Sequence, residues 1–112
     1  MNVNQVFVNK FNQLKRDFSA QLPMRLKAID DSLQACKEQP ADEVRRQDLY
    51  RLLHSLGGTA GSFGFAQLGL DARIIESEVA ALAQCSSWSE QEMAHIADAL
   101  ALLKQHIFAR QP

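Results

Sequence analysis

Apolar residues recur every three or four positions through most of the chain, the spacing of side chains that share one face of an α-helix. Phe7, Phe11, Leu14 and Phe18 form one such stripe, and Leu26, Ile29, Leu33 and Cys36 form a second. Between them, Pro23 fits the first turn of a helix, where its missing N–H is not needed, so the pattern predicts a break or kink near residues 19–23. In "KEQPADE", Pro40 ends helical continuity, and the acidic pair Asp42 and Glu43 suits a helix N-terminus, which predicts a new helix from about residues 41–45. That helix carries Leu49, Leu52, Leu53, Leu56, Ala60 and Phe63 on one stripe; a later one carries Leu68, Ala72, Ile75, Val79 and Leu82. Gly64, between the two, can take the left-handed conformation that ends many helices. "CSSWS" reads as the last turn and "SEQE" (Ser89 to Glu92) as a capping box, before a final seam of Met93, Ile96, Leu100, Leu103 and Ile107. No window alternates apolar and polar residues as a strand would. The expectation is an all-α fold, an antiparallel up-down four-helix bundle with a short additional N-terminal helix.

Length and charge narrow this further. A chain of 112 residues with 46% hydrophobic and 22% charged residues has the size of one small domain, residues 1–112, with a core of its own. Twelve Lys+Arg against thirteen Asp+Glu leave a formal net charge of −1, so no positive excess draws the chain to nucleic acid or anionic lipid. No apolar run approaches the roughly 18–20 residues of a membrane span, and the N-terminus has no uninterrupted apolar segment, which points to the cytoplasm. Cys36 and Cys85 lie far apart without CxxC spacing, as ordinary reduced thiols do.

The chemistry concentrates in "HSLGGTAGSFG", His54 to Gly64, which holds four of the five glycines. At about 100° per residue, His54 projects about 140° from the core stripe of its helix, Gln47 about 160°, Arg51 about 200°, Gly58 about 180°, Gly61 about 120° and Gly57 about 80°. Glycines at +3, +4 and +7 occupy the helical neighbour positions of the histidine. Each glycine inside a helix costs about 0.8–1 kcal/mol relative to alanine, a large sum against a domain stability of about 5–15 kcal/mol. A flexible loop would explain the glycines, but the leucine spacing continues through Ala60 and Phe63. Close helix packing suits Gly57 and Gly61, not the outward Gly58. A nucleotide loop would need GxxxxGK[ST] after a strand, and neither is present. Steric clearance remains: a large partner brings a reactive group to the His54 ring. An imidazole is largely neutral, and so nucleophilic, near pH 7. Ser55 points about 100° away from His54, which argues against a serine triad. His54, His95 and His106 contain no i, i+3 or i, i+4 pair, so no metal site is expected, and His95 and His106 read as boundary residues beside the last helix.

"HSLGGTAGSFG" resembles the phosphoacceptor motif of histidine-containing phosphotransfer (HPt) domains, H-x-L-K-G-x-x-x-x-x-G. His54, Leu56, Gly58 and Gly64 fall on it, Thr59 and Ala60 supply its small residues, and "ARIIESE" looks like the family's following helix. Gly57 departs from it, standing where the motif most often has lysine. The resemblance implies a four-helix phosphorelay carrier of bacterial two-component signalling, without cofactor or autokinase activity. His54 would accept a phosphoryl group from a receiver-domain aspartate and pass it to another receiver. Its partners would be response-regulator receivers, which bring Mg²⁺, and a hybrid sensor kinase, and it would act as a monomer. Gln47, Arg51, Gly57, Gly58 and Gly61 would form the phosphoryl environment and docking surface, with Arg51 replacing the missing lysine. The rival is an HPt-like adaptor that binds a receiver or kinase domain without being phosphorylated.

Overall fold

The structure is a computed structural model that describes residues 2–82 and 85–110, without the side chains of residues 108–110. Met1, Ala83, Gln84, Gln111 and Pro112, all within the expected 1–112 domain, lie outside the described residues. Four helices make up the fold: α1 (Val3–Glu38), α2 (Glu43–Ser62), α3 (Ala66–Leu82) and α4 (Glu90–Arg110). There is no strand among the described residues. Each helix packs on its neighbour in the chain, and α1 also meets α4.

The expected stripes build the core. Leu26, Ile29, Leu33 and Cys36 of α1 meet Leu49, Leu53, Leu56 and Ala60 of α2, Leu68, Ala72, Ile75 and Val79 of α3, and Met93, Ile96, Leu100 and Leu103 of α4, all buried. Leu52, Phe63, Leu82 and Ile107 close the edges, half-buried. The capping signals hold as well. Asp42 accepts from the Val44 and Arg45 N–H groups at 3.0 and 3.3 Å, starting α2 where its sequence predicts. Ser89 and Glu92 exchange their two bonds at 3.1 and 3.4 Å ahead of α4.

The N-terminal region corrects the sequence expectation. Among the described residues no separate short helix precedes the bundle; α1 runs unbroken for 36 residues with Pro23 inside it. Proline in a helix interior costs about 3 kcal/mol, whereas fully burying each large apolar side chain returns about 1.5–3 kcal/mol. Phe18, Leu22 and Leu26 are all buried on either side of Pro23, so helical continuity wins. Pro23 and Ser19 both face solvent, where water can satisfy the Ser19 carbonyl that the ring leaves without its helical donor. At about 1.5 Å per residue α1 is about 54 Å long, which matches the 56 Å long axis of the molecule. Its first turns therefore run past the end of α2. Of the expected stripe Phe7, Phe11, Leu14 and Phe18, only Phe18 is buried. Phe11 reaches the Phe63 ring at 5.9 Å, and Phe18 lies against Phe63 and Phe65 at 6.0 and 5.3 Å, closing that end of the core.

Trp88 and Arg46 are buried although neither falls on a periodic stripe. Trp88, in the α3–α4 connection, is buried and donates its indole N–H to the Leu82 carbonyl at 3.1 Å. Arg46 is buried beneath it, its guanidinium 5.9 Å from the indole ring and donating to the Cys85 carbonyl at 2.6 Å. Together they tie the loop before α4 to the start of α2.

Candidate functional site

The glycine-rich run is helix almost to its end. α2 continues to Ser62, and Gly64 then takes φ +84°, the left-handed stop its sequence predicts. The Phe65 N–H donates to the Ala60 carbonyl at 2.9 Å and the Gly64 N–H to the Gly61 carbonyl at 3.4 Å, the pair of bonds that closes a Schellman motif. His54 thus sits on a regular helix two turns before a fixed terminus, not on a flexible loop.

Within that helix the glycines do different work. A side chain added at Gly58 would meet nothing within 4 Å. Gly61 is equally open outward, but its backbone is approached by α3: a Cβ on Gly69 would stand 3.1 Å from the Gly57 carbonyl oxygen and 3.1 Å from the Gly61 nitrogen. Gly57 is buried, and a Cβ there would stand 3.1 Å from Cγ of Arg73 and 3.5 Å from the Gly69 carbonyl. Gly57, Gly61 and Gly69 therefore let α2 and α3 come close. At Gly57 this is the close helix packing that its position suits, rather than bare surface: its missing side chain makes room for α3 and for the stem of Arg73. Gly58 is open on its outward side and makes no such close approach to α3.

His54 projects into solvent with its side chain 70% exposed, yet one ring nitrogen is engaged. Nδ1 lies 2.6 Å from Oε1 of Glu76, a carboxylate on α3 whose side chain is only 15% exposed. An ionised carboxylate can only accept, so the neutral imidazole must carry its proton on Nδ1. That leaves the Nε2 lone pair free on the exposed side of the ring. Tyr50, one turn earlier on α2, stacks on the imidazole with centroids 6.0 Å apart and planes at 16°. The Glu76 carboxylate also raises the pKa of the nearby Tyr50 phenol above the ordinary 10.0, first as a hydrogen-bond acceptor for its neutral form and then through its charge. Arg73 and Ser77 complete the shallow depression around His54, Gly58 and Glu76.

The other expected neighbours stand apart. Arg51 is paired with Asp48 at 3.6 Å, and Gln47 turns to Glu43 at 3.4 Å; neither lines this depression. The Ser55 hydroxyl accepts from Arg25 at 3.5 Å on the α1 side. His95 and His106 are exposed boundary residues, at 3.0 Å from Glu78 and from Asp71. Sequence reasoning missed Tyr50, Arg73 and Glu76. Tyr50 carried a usable signal, since i−4 is a helical neighbour of His54. For Arg73 and Glu76 the signal is weaker, three residues apart on one face of α3 without a mark of which α2 residues they oppose.

His54 is therefore a solvent-facing imidazole with one nitrogen engaged by Glu76 and bare helix backbone beside it at Gly58. A family model, the Hpt domain, matches residues 13–106. The chain belongs to the Hpt domain family. Hpt domains are histidine phosphotransfer carriers of phosphorelays and interact with the receiver domains of two-component systems. No match is found among curated proteins, and none among solved structures. The Hpt match begins beyond Val3, Val6, Phe7, Val8 and Phe11, so the overhanging start of α1 lies outside the family's region. No helix among the described residues is long and apolar enough to cross a membrane.

Proposed function

We propose that this Hpt domain carries the phosphoryl group on Nε2 of His54, taking it from an aspartyl phosphate on one receiver domain and giving it to another. The observation that carries this is the 2.6 Å contact of His54 Nδ1 with Glu76 on an otherwise open ring. In the forward step the Nε2 lone pair forms the N–P bond as the bond from phosphorus to the aspartyl oxygen breaks, returning a carboxylate to the donor. No proton need move, because Nδ1 keeps its own. The ring gains positive charge as the bond forms, and Glu76 stabilises it. Reversal onto a second aspartate uses the same geometry. Phosphoryl transfer depends chiefly on in-line positioning and charge stabilisation, and Mg²⁺ belongs to the receiver's acidic pocket, so the chain itself needs neither a cofactor nor autokinase activity.

The scaffold for this role is an up-down antiparallel bundle working as a monomer in the cytoplasm, upstream or downstream of a hybrid sensor kinase and without nucleic acid. Contacts between α2 and α3 support the topology: Gly61 is approached by Gly69, Gly57 by Arg73 and His54 by Glu76, so residue numbers fall on one helix as they rise on the other. Arg25 with Ser55 and Phe18 with Phe63 follow the same order between α1 and α2. Incubating the chain with Mg²⁺ and phosphorylated receivers tests the function. Acid-labile, base-stable phosphate should appear on the chain, and none should appear with ATP alone.

A further inference from the structure

Resting on that carrier role, we infer that Arg73, from α3, is the cation that holds the phosphoryl oxygens on His54. A phosphoryl group at Nε2 is anionic and would stand beside the Glu76 carboxylate, so a cation within the same depression is needed to offset the repulsion. Two other arginines face elsewhere: Arg51 faces Asp48 at 3.6 Å and does not line the depression, and Arg25 donates to Ser55 and lies 5.4 Å from the Phe18 ring. Arg73 lines the depression with His54, Gly58 and Glu76, and its guanidinium has no hydrogen bond or ion pair among the described residues. It is exposed, so its head is free to turn toward a group docking on His54.

The place of Arg73 is tied to the departure at Gly57. Its Cγ lies 3.1 Å from where a Cβ on Gly57 would stand, so the arginine stem passes over the position where the phosphoacceptor motif most often has lysine. A side chain at position 57 would press on Arg73 in this pose, and the arginine stem would have to give way to it. Three residues apart on one helix, Arg73 and Glu76 share a face. The carboxylate orients the ring through Nδ1, and the planar guanidinium, with its fork of donors, suits the oxygens of a phosphoryl group on the other nitrogen. Covalent bonding is unchanged: the N–P bond forms and the aspartyl P–O bond breaks, while Arg73 donates hydrogen bonds to the transferred oxygens throughout.

Single-turnover transfer from receiver domains charged with acetyl phosphate and Mg²⁺ tests this on four proteins: the parent, Arg73→Ala, Arg73→Lys, and the double variant Gly57→Lys with Arg73→Ala. Transfer should slow by at least about tenfold in Arg73→Ala, a modest loss for a donor on an open surface compared with an enclosed one. Arg73→Lys should recover part of it. The double variant should recover rate as well, because removing the arginine stem relieves the 3.1 Å contact that a side chain at 57 would make with it. Circular dichroism and urea midpoints of all four establish that the fold is kept. Transfer by Arg73→Ala at the parent rate overturns the role of Arg73 alone, and so does a slow Arg73→Ala that neither lysine rescues, which marks packing rather than charge. A parent chain that accepts no phosphate from any receiver overturns the carrier role, and that of Arg73 with it.

Discussion

Nδ1 of His54 lies 2.6 Å from Oε1 of Glu76, joining the exposed ring on α2 to a largely buried carboxylate on α3. On the proposed carrier role, this contact leaves Nε2 as the nitrogen that reacts. With Glu76 in place, ¹⁵N NMR of His54 at neutral pH should show Nδ1 protonated and Nε2 bare. In Glu76→Ala the two tautomers should mix and transfer should slow by about tenfold or more, the scale of losing a group that orients a reactive imidazole. An unchanged tautomer and rate in that variant would remove Glu76 from the mechanism.

Tyr50 reports on the same carboxylate. It is the only tyrosine of the chain, so phenolate absorbance near 295 nm follows it without overlap. Its midpoint should lie above 10.0, raised by the hydrogen bond to Glu76 and then by that residue's charge. Glu76→Gln should bring it down by removing the charge. The raised folded value means that the neutral phenol is the stabilised form, so this contribution is complete below the unfolded pKa and lost as pH rises through the folded one. Stability near pH 7 should therefore not respond to Tyr50 ionisation. A parent midpoint at or below the ordinary value would contradict the shared carboxylate.

Gly58 and Gly69 should respond to substitution in opposite directions. Gly58 is helical and open, so Gly58→Gln should raise stability by up to about 0.5–1 kcal/mol, since glutamine is the better helix former. The same side chain, one turn from His54, should obstruct the docking receiver and slow transfer severely. Gly69→Ala should destabilise by about 1–3 kcal/mol, because its Cβ would meet α2 backbone atoms at 3.1 Å. Urea unfolding and transfer rates on both variants check this. A destabilised Gly58→Gln, or a stable one with undiminished transfer, would show that clearance is not why position 58 is bare.

The bundle was legible because most core positions repeat at helical spacing and the caps are local. Asp42, Ser89 with Glu92, and Gly64 act within a few residues of themselves, so the sequence alone carries their geometry. Where legibility failed, a distant element decided the outcome. Pro23 looked like a boundary, but burial of Phe18, Leu22 and Leu26 keeps α1 continuous through it. Phe7 and Leu14 have the spacing of core residues, yet α2 ends before it can cover them. His54 itself could be found from the glycines around it. Glu76 and Arg73 could not, because the register of α3 on α2 is set by Gly69 meeting the Gly57 and Gly61 backbones. Sequence spacing favours Arg51 as the replacement cation, whereas in the structure Arg51 faces Asp48 at 3.6 Å and does not line the depression around His54.

The central claim is that Nε2 of His54 is the phosphoacceptor, and intact mass spectrometry at neutral to alkaline pH measures this most directly. After incubation with Mg²⁺ and charged receiver domains, the parent chain should gain the mass of one phosphoryl group, lose it on acidification, and show a ³¹P resonance of an Nε2 phosphoramidate. His54→Gln, with its fold confirmed by circular dichroism, should gain nothing. A variant that still takes up phosphate would place the acceptor elsewhere, and a parent chain that binds receivers but never gains mass would show an adaptor instead of a carrier.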